Sequence, residues 1–366
     1  MLWHLGLRPP SRDLSERDML MTYKVLFLNP LKDYVDRLVK SAPAGFNVKV
    51  MDPKADVSEM CREAADADFC VSGVEVPEAV FRAAKKAKFI QYMSSGFGQL
   101  PLSVLNELGI PVAQMKTHSI SVAEHAVTLT LMTLRRIPAT VQLMHKGAWR
   151  PDLEETSYSE LYGKTVGIVG LGNIGRWIGK IVHYGFSANV IFYDTAAIPL
   201  TVSELVPAQA VSLDELLKRS DIVCLSVPLN AQSDKMIGRK ELALMKPRSV
   251  LINICRGEVV DEAALTEFLR EGRIAGAGLD VFTKEPLDRG SDLLNLENVV
   301  CTPHMAGVGW ENVERRIATV WQNIDAVLRG GIPNGVITTA KRAKEGLVWV
   351  REAPFSNEPL NTQDTR

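Results

Sequence analysis

The chain has few cysteines, no surplus of positive charge and no long apolar run, and each shortage excludes a class of protein. Its five cysteines, Cys61, Cys70, Cys224, Cys255 and Cys301, stand far apart in 366 residues. Their number is odd and no C-x-x-C pair occurs, which argues against a disulfide framework and a zinc site. No metal is expected, and a reducing cytosol suits such thiols. Lys and Arg total 42 against 43 Asp and Glu, a formal charge of −1. Polyanions are held by a basic excess, so no nucleic-acid partner is expected. No stretch approaches the roughly 18 uninterrupted apolar residues of a membrane span, and no membrane partner is expected either. Internal repeats and low-complexity tracts are also missing. Residues 1–21 open on a short apolar run that Pro9, Pro10 and several charges cut off. That is too short for a signal-peptide core and too acidic for a transit peptide. It reads as an N-terminal extension, with Met19 or Met21 near the structural start, or else as a helix that docks on a partner.

What remains is a globular composition, 46% apolar and 23% charged. The length suits two domains of roughly 100–200 residues each. From Tyr23 onward, short β-rich runs alternate with helical stretches. Strands are predicted at Val25–Leu28, Phe46–Met51, Phe69–Ser72, Phe89–Met93 and Pro111–Ala113. Between them a polar helix starts near Lys32, Ser58 can cap a second, Pro77 opens EAVFRAAKKA, and Pro101–Leu108 reads as helix. Strands separated by helices imply a parallel sheet with covering helices. This unit ends near Ser121. Ala123–Ile137 has helical apolar spacing that Pro138 interrupts. Lys146–Glu160 reads as an irregular arm, and a second unit opens at Lys164. Its later strands are predicted at Asp221–Val227, Val250–Asn253, Ala275–Leu279 and Val299–Thr302, before a helix at Glu311–Arg329. After Ile337 the pattern fades into a tail, of which Leu347–Val350 has strand-like composition.

The most specific local signal is a glycine loop. Thr165–Val169 is an apolar strand, and Gly170, Gly172 and Gly175 follow as G-x-G-x-x-G. In a dinucleotide loop the first glycine allows the tight turn, and the second lets pyrophosphate approach the backbone. The third lets the helix pack close to the sheet. The diphosphate then meets the helix N-terminus, where unpaired N–H groups favour negative charge. The next strand, Val190–Tyr193, ends in Asp194, placed to accept hydrogen bonds from adenosine ribose hydroxyls. That carboxylate would repel a 2′-phosphate, and Thr195–Leu200 holds no Arg or Lys to offset it. NAD is therefore the expected cofactor.

Three charged residues follow later strands, where open α/β sheets hold their ligands. They are Arg256 in INICRGEVVDEAAL, Glu285 in AGAGLDVFTKEPL and His304 in VVCTPHMAG. Each alone has a plain structural reading: a surface ion pair, a solvated loop acid, a histidine bonded to backbone.

Taken in order with AEHAVTLTL (Ala123–Leu131) and VGIVGLGNIG, these segments resemble the D-isomer-specific 2-hydroxyacid dehydrogenase family over about Tyr23 to Val336. The resemblance implies two doubly wound parallel-sheet domains with a cleft between them. One is a Rossmann cofactor domain over 123–304; the other is a flavodoxin-like substrate domain over 22–122 and 305–337. Residues 338–366 then form a C-terminal tail. It implies a homodimer with the region around 123–160 in the subunit contact. Arg256 would bind the substrate carboxylate and polarise the keto oxygen with its fork of donors. His304 would donate the proton when a 2-keto acid is reduced and accept it in reverse. Glu285 would pair with His304 and favour its protonated form. Asp280 matches the position that contacts the nicotinamide carboxamide. Cofactor contacts are further implied for Asn173, Ile174, Val227, Pro228, Ile254, Cys255 and Gly307, and for Arg256 and His304 themselves. Substrate contacts are implied for the loop Ser94, Ser95 and Gly96, whose N–H groups hold the carboxylate.

The chain departs from the family in two places. Pro101 stands where Asp is common and His118 where Asn is common, so a named member's substrate does not transfer. His118 reads either as hinge packing or as substrate-facing. Met93, Phe97 and Trp310 are candidate pocket walls or ordinary core. Cys255 is not expected to act as a nucleophile, since hydride transfer needs no covalent intermediate. The expected function is a cytosolic NAD-dependent dehydrogenase or reductase of small D-2-hydroxy acids, of the glyoxylate/hydroxypyruvate reductase or phosphoglycerate dehydrogenase kind. The alternatives are a NAD-sensing co-repressor-like binding protein, or a formate- or phosphite-type dehydrogenase on the same scaffold.

Overall fold

The computed structural model describes residues 22–29, 32–94, 100–150, 157–196, 206–338, 341–342 and 347–348. The expectations for residues 1–21 therefore lie outside the described residues. The chain divides into two compact units, Met1–Thr117 with Trp310–Arg366, and His118–Gly309.

The first unit is built on five parallel strands: β1 (Tyr23–Leu28), β2 (Phe46–Met51), β3 (Phe69–Ser72), β4 (Phe89–Tyr92) and β5 (Val112–Ala113). Their order is β2-β1-β3-β4-β5, the doubly wound arrangement. Strands β3 and β4 are buried throughout, which is why they read as unbroken apolar runs. One face packs Met60, Val80, Phe81 and Leu105 from the intervening helices. The other face packs Leu38 with Ile317, Val320, Trp321 and Ile324. Those last four belong to the helix Trp310–Leu328, so the chain returns to this sheet after building the second unit. Asn323 fixes the return, its Nδ2 donating to Gln91 Oε1 at 2.6 Å.

Several local expectations are corrected. The helix Val57–Asp66 is capped by Asp56, whose carboxylate accepts from the N–H groups of Ser58 and Glu59. Ser58 lies inside that helix rather than capping it. The helix after Pro77 covers Glu78–Ala83 only and stops before the lysine pair. Met93 is buried in the core of the first unit, in keeping with the second of its two readings.

The second unit opens with the helix Ser119–Leu134, whose N-cap position is the buried His118. Pro138 does not interrupt this helix. The break falls at Arg136, in the left-handed region at φ 47°, and Pro138 sits in the first turn of a new helix, Ile137–His145. The sheet has seven strands: β6 (Thr165–Val169), β7 (Asn189–Tyr193), β8 (Ala208–Ala210), β9 (Ile222–Leu225), β10 (Val250–Asn253), β11 (Gly276–Leu279) and β12 (Val299–Cys301). Their order is β12-β11-β10-β9-β6-β7-β8, all parallel. The order reverses between β6 and β9, where open α/β sheets open a crevice beyond their carboxyl ends. Within the tail, β13 (Lys341–Arg342) pairs antiparallel with β14 (Leu347–Val348). The rest of the strand expected at Leu347–Val350 lies outside the described residues.

Candidate functional site

The carboxyl edge of the seven-stranded sheet collects most of the residues singled out by sequence. Gly170 follows β6, Asp194 follows β7, Val227 and Pro228 follow β9, and Ile254 to Arg256 follow β10. Asp280 and Glu285 follow β11, and His304 and Gly307 follow β12. Because all seven strands are parallel, these segments emerge on one side.

At β6 each glycine has its own reason. Gly170 adopts φ 93°, and a Cβ there would meet Ser226 O and Val227 Cγ1 at 2.9 Å. At Gly175 a Cβ would come within 2.2 Å of Gly170 O, so only glycine lets the helix Asn173–Phe186 start this close. Gly172, the N-cap of that helix, has nothing within 4 Å of its would-be Cβ. Packing does not demand glycine there. An open backbone at a helix N-terminus is the surface a diphosphate needs, so these residues fit a dinucleotide. Asp194 closes the far side of the turn. Its Oδ2 accepts from Leu171 N at 2.8 Å and its Oδ1 from Ala196 N at 2.9 Å. Asn173 is exposed and Ile174 half-buried.

Arg256 leaves β10 on a stiff segment. Asn253 Oδ1 accepts from Cys255 N at 3.1 Å, Asn253 Nδ2 donates to Arg256 O at 2.9 Å, and Arg256 Nη1 donates to Cys255 O at 2.7 Å. Ile254 and Cys255 are buried. Burial pushes the Cys255 thiol up to about 11, which leaves it inert at neutral pH. The next residue, Gly257, is jammed against the neighbouring loop: a Cβ would lie 1.9 Å from Phe282 C and 2.2 Å from Thr283 N. The arms carrying Arg256 and Glu285 are thus backbone-to-backbone neighbours.

Glu285 and His304 meet directly. Glu285 Oε2 lies 2.7 Å from His304 Nδ1, while Glu285 Oε1 accepts the Phe282 N–H at 3.1 Å. Both side chains are partly exposed, at 36% and 48%. His304 sits at φ 50°, in the left-handed region. A non-glycine residue holds that conformation only where its surroundings impose it.

Those surroundings centre on Asp280, which is fully buried. Its Oδ1 accepts from Thr302 Oγ1 at 2.6 Å and Met305 N at 2.9 Å, and its Oδ2 from Ala306 N at 2.8 Å. His304 N donates to the Asp280 carbonyl at 2.8 Å. Burial pushes the carboxyl upward, but donors from His125, Thr302, Met305 and Ala306 outweigh it and hold it below its ordinary value. Sequence reasoning gave no role to His125, which completes this network.

Other expected residues belong to the first unit or lie outside the described residues. Ser94 is half-buried at the end of β4 in the first unit, its carbonyl accepting from Met115 N at 3.0 Å. Ser95, Gly96 and Phe97 lie outside the described residues. Pro101 is the N-cap of the helix Leu102–Glu107. Trp310 is exposed, with the Arg37 guanidinium 3.5 Å from its ring centre. Among the described residues no cluster of His, Cys, Asp and Glu could hold a metal ion, and no helix is long and apolar enough to cross a membrane.

Comparison with known proteins agrees with this geometry. Residues 127–306 match the family model for the D-isomer specific 2-hydroxyacid dehydrogenase, NAD binding domain. The chain is 36% identical to glyoxylate/hydroxypyruvate reductase B of Pectobacterium atrosepticum over 73% of this chain and 83% of that one. It is 37% identical to D-3-phosphoglycerate dehydrogenase of Methanocaldococcus jannaschii over 79% of this chain but only 55% of that longer protein. In three dimensions it superposes on D-lactate dehydrogenase with NAD+ from Lactobacillus jensenii at a TM-score of 0.74 and 27% identity. That match covers 86% of this chain and 99% of that one. The chain belongs to the D-isomer specific 2-hydroxyacid dehydrogenase family and is an NAD-dependent oxidoreductase acting on the CH–OH group of small 2-hydroxy acids.

Proposed function

We propose that this enzyme reduces a small 2-keto acid of the glyoxylate or hydroxypyruvate kind, with His304 as proton donor, Glu285 as its partner and Arg256 as the substrate clamp. The observation that carries this reading is the 2.7 Å contact between His304 Nδ1 and Glu285 Oε2, on the sheet edge that also bears the open glycine loop. Bound NADH supplies the hydride. Gly170, Gly172 and Gly175 with the N-terminus of Asn173–Phe186 receive its diphosphate, and Asp194 receives its ribose hydroxyls. Asn173, Ile174, Val227, Pro228, Ile254, Cys255 and Gly307 border that space. Arg256 binds the substrate carboxylate and draws charge onto the keto oxygen as it becomes an alkoxide. Glu285 holds Nδ1, which turns Nε2 of His304 toward the reacting oxygen, and the proton passes from Nε2.

The partner is a second copy of this chain. Ile137, Val141 and Met144 are exposed along one face of the helix Ile137–His145, with Trp149 exposed just beyond it. An apolar row of this kind marks an association surface. Light scattering should give twice the chain mass, and Val141→Glu with Met144→Glu should halve it. All five cysteines are free thiols, which suits a reducing cytosol; cell fractionation tests that placement.

A panel of glyoxylate, hydroxypyruvate, pyruvate and phenylpyruvate with NADH tests the substrate class. Glyoxylate and hydroxypyruvate are expected to show the highest kcat/KM. Absence of turnover with every 2-keto acid, and of the corresponding 2-hydroxy acids with NAD, would overturn the reading.

A further inference from the structure

We propose that His125 is a positioning residue for the proton donor, holding the His304 loop through Thr302 and the buried Asp280 carboxylate. The inference rests on the reading of His304 as the acid/base.

His125 lies on the apolar helix Ser119–Leu134, where it and Glu124 are the only titratable side chains. Glu124 is exposed, while the His125 side chain is only 17% exposed and turned to the sheet edge. Its Nε2 stands 2.9 Å from Thr302 Oγ1 and 3.4 Å from Asp280 Oδ1. The directions of these bonds follow from valence. Asp280 as a carboxylate only accepts, so the single Thr302 hydroxyl hydrogen, at 2.6 Å, goes to Oδ1. The Thr302 oxygen must then accept, so the proton of the His125 ring lies on Nε2. The chain of donors runs from His125 through Thr302 to Asp280.

Asp280 then grips His304 from both sides in sequence. Its carbonyl takes the His304 N–H at 2.8 Å, and its carboxylate takes the next two, Met305 N at 2.9 Å and Ala306 N at 2.8 Å. Three consecutive N–H groups thus converge on one residue, and only a tight turn achieves that. His304 occupies that turn at φ 50°. The conformation aims its imidazole at Glu285, and Asp280 imposes it. His125 orients the acceptor that imposes it. The charged and titratable groups that follow these strands are Cys255 and Arg256 after β10, Asp280, Lys284 and Glu285 after β11, and His304 after β12. His125 reaches only Asp280 among them within ion-pairing distance.

Steady-state kinetics of the full-length enzyme test this, with 2-keto acid and NADH or its 4-deuterated form, on His125→Ala, His125→Gln and Thr302→Val. His125→Ala should lower kcat about 10- to 100-fold, the usual cost of a misplaced catalytic group. KM and the NADH Kd should stay close to wild type, and the deuteride isotope effect on kcat should rise as chemistry becomes rate-limiting. His125→Gln should restore most of kcat, because its amide N–H can donate where Nε2 does. Thr302→Val keeps the volume, removes the link and should lose kcat as well. Wild-type kcat in His125→Ala overturns the proposal, as does a loss confined to KM or NADH binding. If His125→Ala does not fold, wild-type kcat in Thr302→Val overturns it. His304→Ala separates the two readings. Full turnover there removes the proton donor itself. Its loss, with His125→Ala unimpaired, removes only the positioning role.

Discussion

His304 Nδ1 lies 2.7 Å from Glu285 Oε2, and the other Glu285 oxygen is anchored on the Phe282 N–H. The carboxylate, though partly exposed, is thus held by both the ring and the backbone. His304→Ala should lower kcat about 100- to 10,000-fold, the range expected on removing a general acid. Glu285→Gln keeps the shape and removes the charge, so it should cost less than His304→Ala in kcat. Neither variant touches the glycine loop, and NADH titrations by fluorescence should give Kd values near wild type. A large loss of NADH affinity in His304→Ala would show that its implied cofactor contact, rather than proton donation, dominates its role.

A second expectation concerns Asp194. In the proposed function its carboxylate receives the ribose hydroxyls, and both oxygens are tied to backbone, at Leu171 N and Ala196 N. The wild-type enzyme should show a higher kcat/KM with NADH than with NADPH. Asp194→Ser should narrow that ratio by removing the repulsion, and it should also raise KM for NADH, because the turn loses its brace. Parallel initial rates with both cofactors measure the two effects together. Equal efficiency in the wild type would refute the electrostatic argument.

The strand positions and the glycine loop were legible because both depend on short-range rules: buried parallel strands read as apolar runs, and a left-handed turn needs glycine. Arg256, Glu285 and His304 could be placed because parallel strands deliver their carboxyl ends to one edge. His125 could not be given a role. Its place in the sequence, within an apolar helix, looks like ordinary packing, and its partners Thr302 and Asp280 are more than 150 residues away. Pro138 misled for a different reason: a proline breaks a helix interior yet suits a first turn. Arg136 at φ 47° decided between the two. The cap at Asp56 was missed because Ser58 and Asp56 are both good cap residues and only the chain path separates them.

The glycines give a third, contrasting prediction. Gly257→Ala would push a methyl into Phe282 and Thr283 backbone atoms about 2 Å away, which cannot yield. It should lower the melting temperature and disturb the spacing of the Arg256 and Glu285 arms, so kcat should fall too. Gly175→Ala should also destabilise, since Gly170 O blocks the new carbon at 2.2 Å. Gly172→Ala meets open space and should leave the melting temperature of the apoenzyme unchanged. Its methyl would instead stand where the diphosphate approaches, so the NADH Kd should rise. Differential scanning calorimetry and fluorescence titration of the three variants test this. Normal NADH affinity in Gly172→Ala would remove that position from the cofactor surface.

Asp280 sets the last expectation, a dependence on pH. Burial raises its carboxyl, but the donors from His125, Thr302, Met305 and Ala306 prevail and hold it below the unfolded value. A carboxyl depressed by folding contributes stability that is present above its unfolded value, about 3.9, and is lost as pH falls through the folded one. The turn at 302–306 should therefore loosen on acidification from about pH 4 downward. Asp221 is held low as well, against its burial, by the Thr165 N–H and Lys246, so a global acid transition would mix the two. A local probe avoids that: hydrogen exchange at the Met305 and Ala306 amides, which donate to Asp280. Asp280→Asn sets an amide nitrogen or a weaker acceptor against those two donors. At neutral pH this should cost about 2 kcal/mol, as for a hydrogen bond to a charged group, and speed exchange at both amides. In acid the wild-type carboxylate is protonated too, so the gap between wild type and Asp280→Asn should close. A gap that stays constant across the acid range would show that ionised Asp280 does not hold the His304 turn.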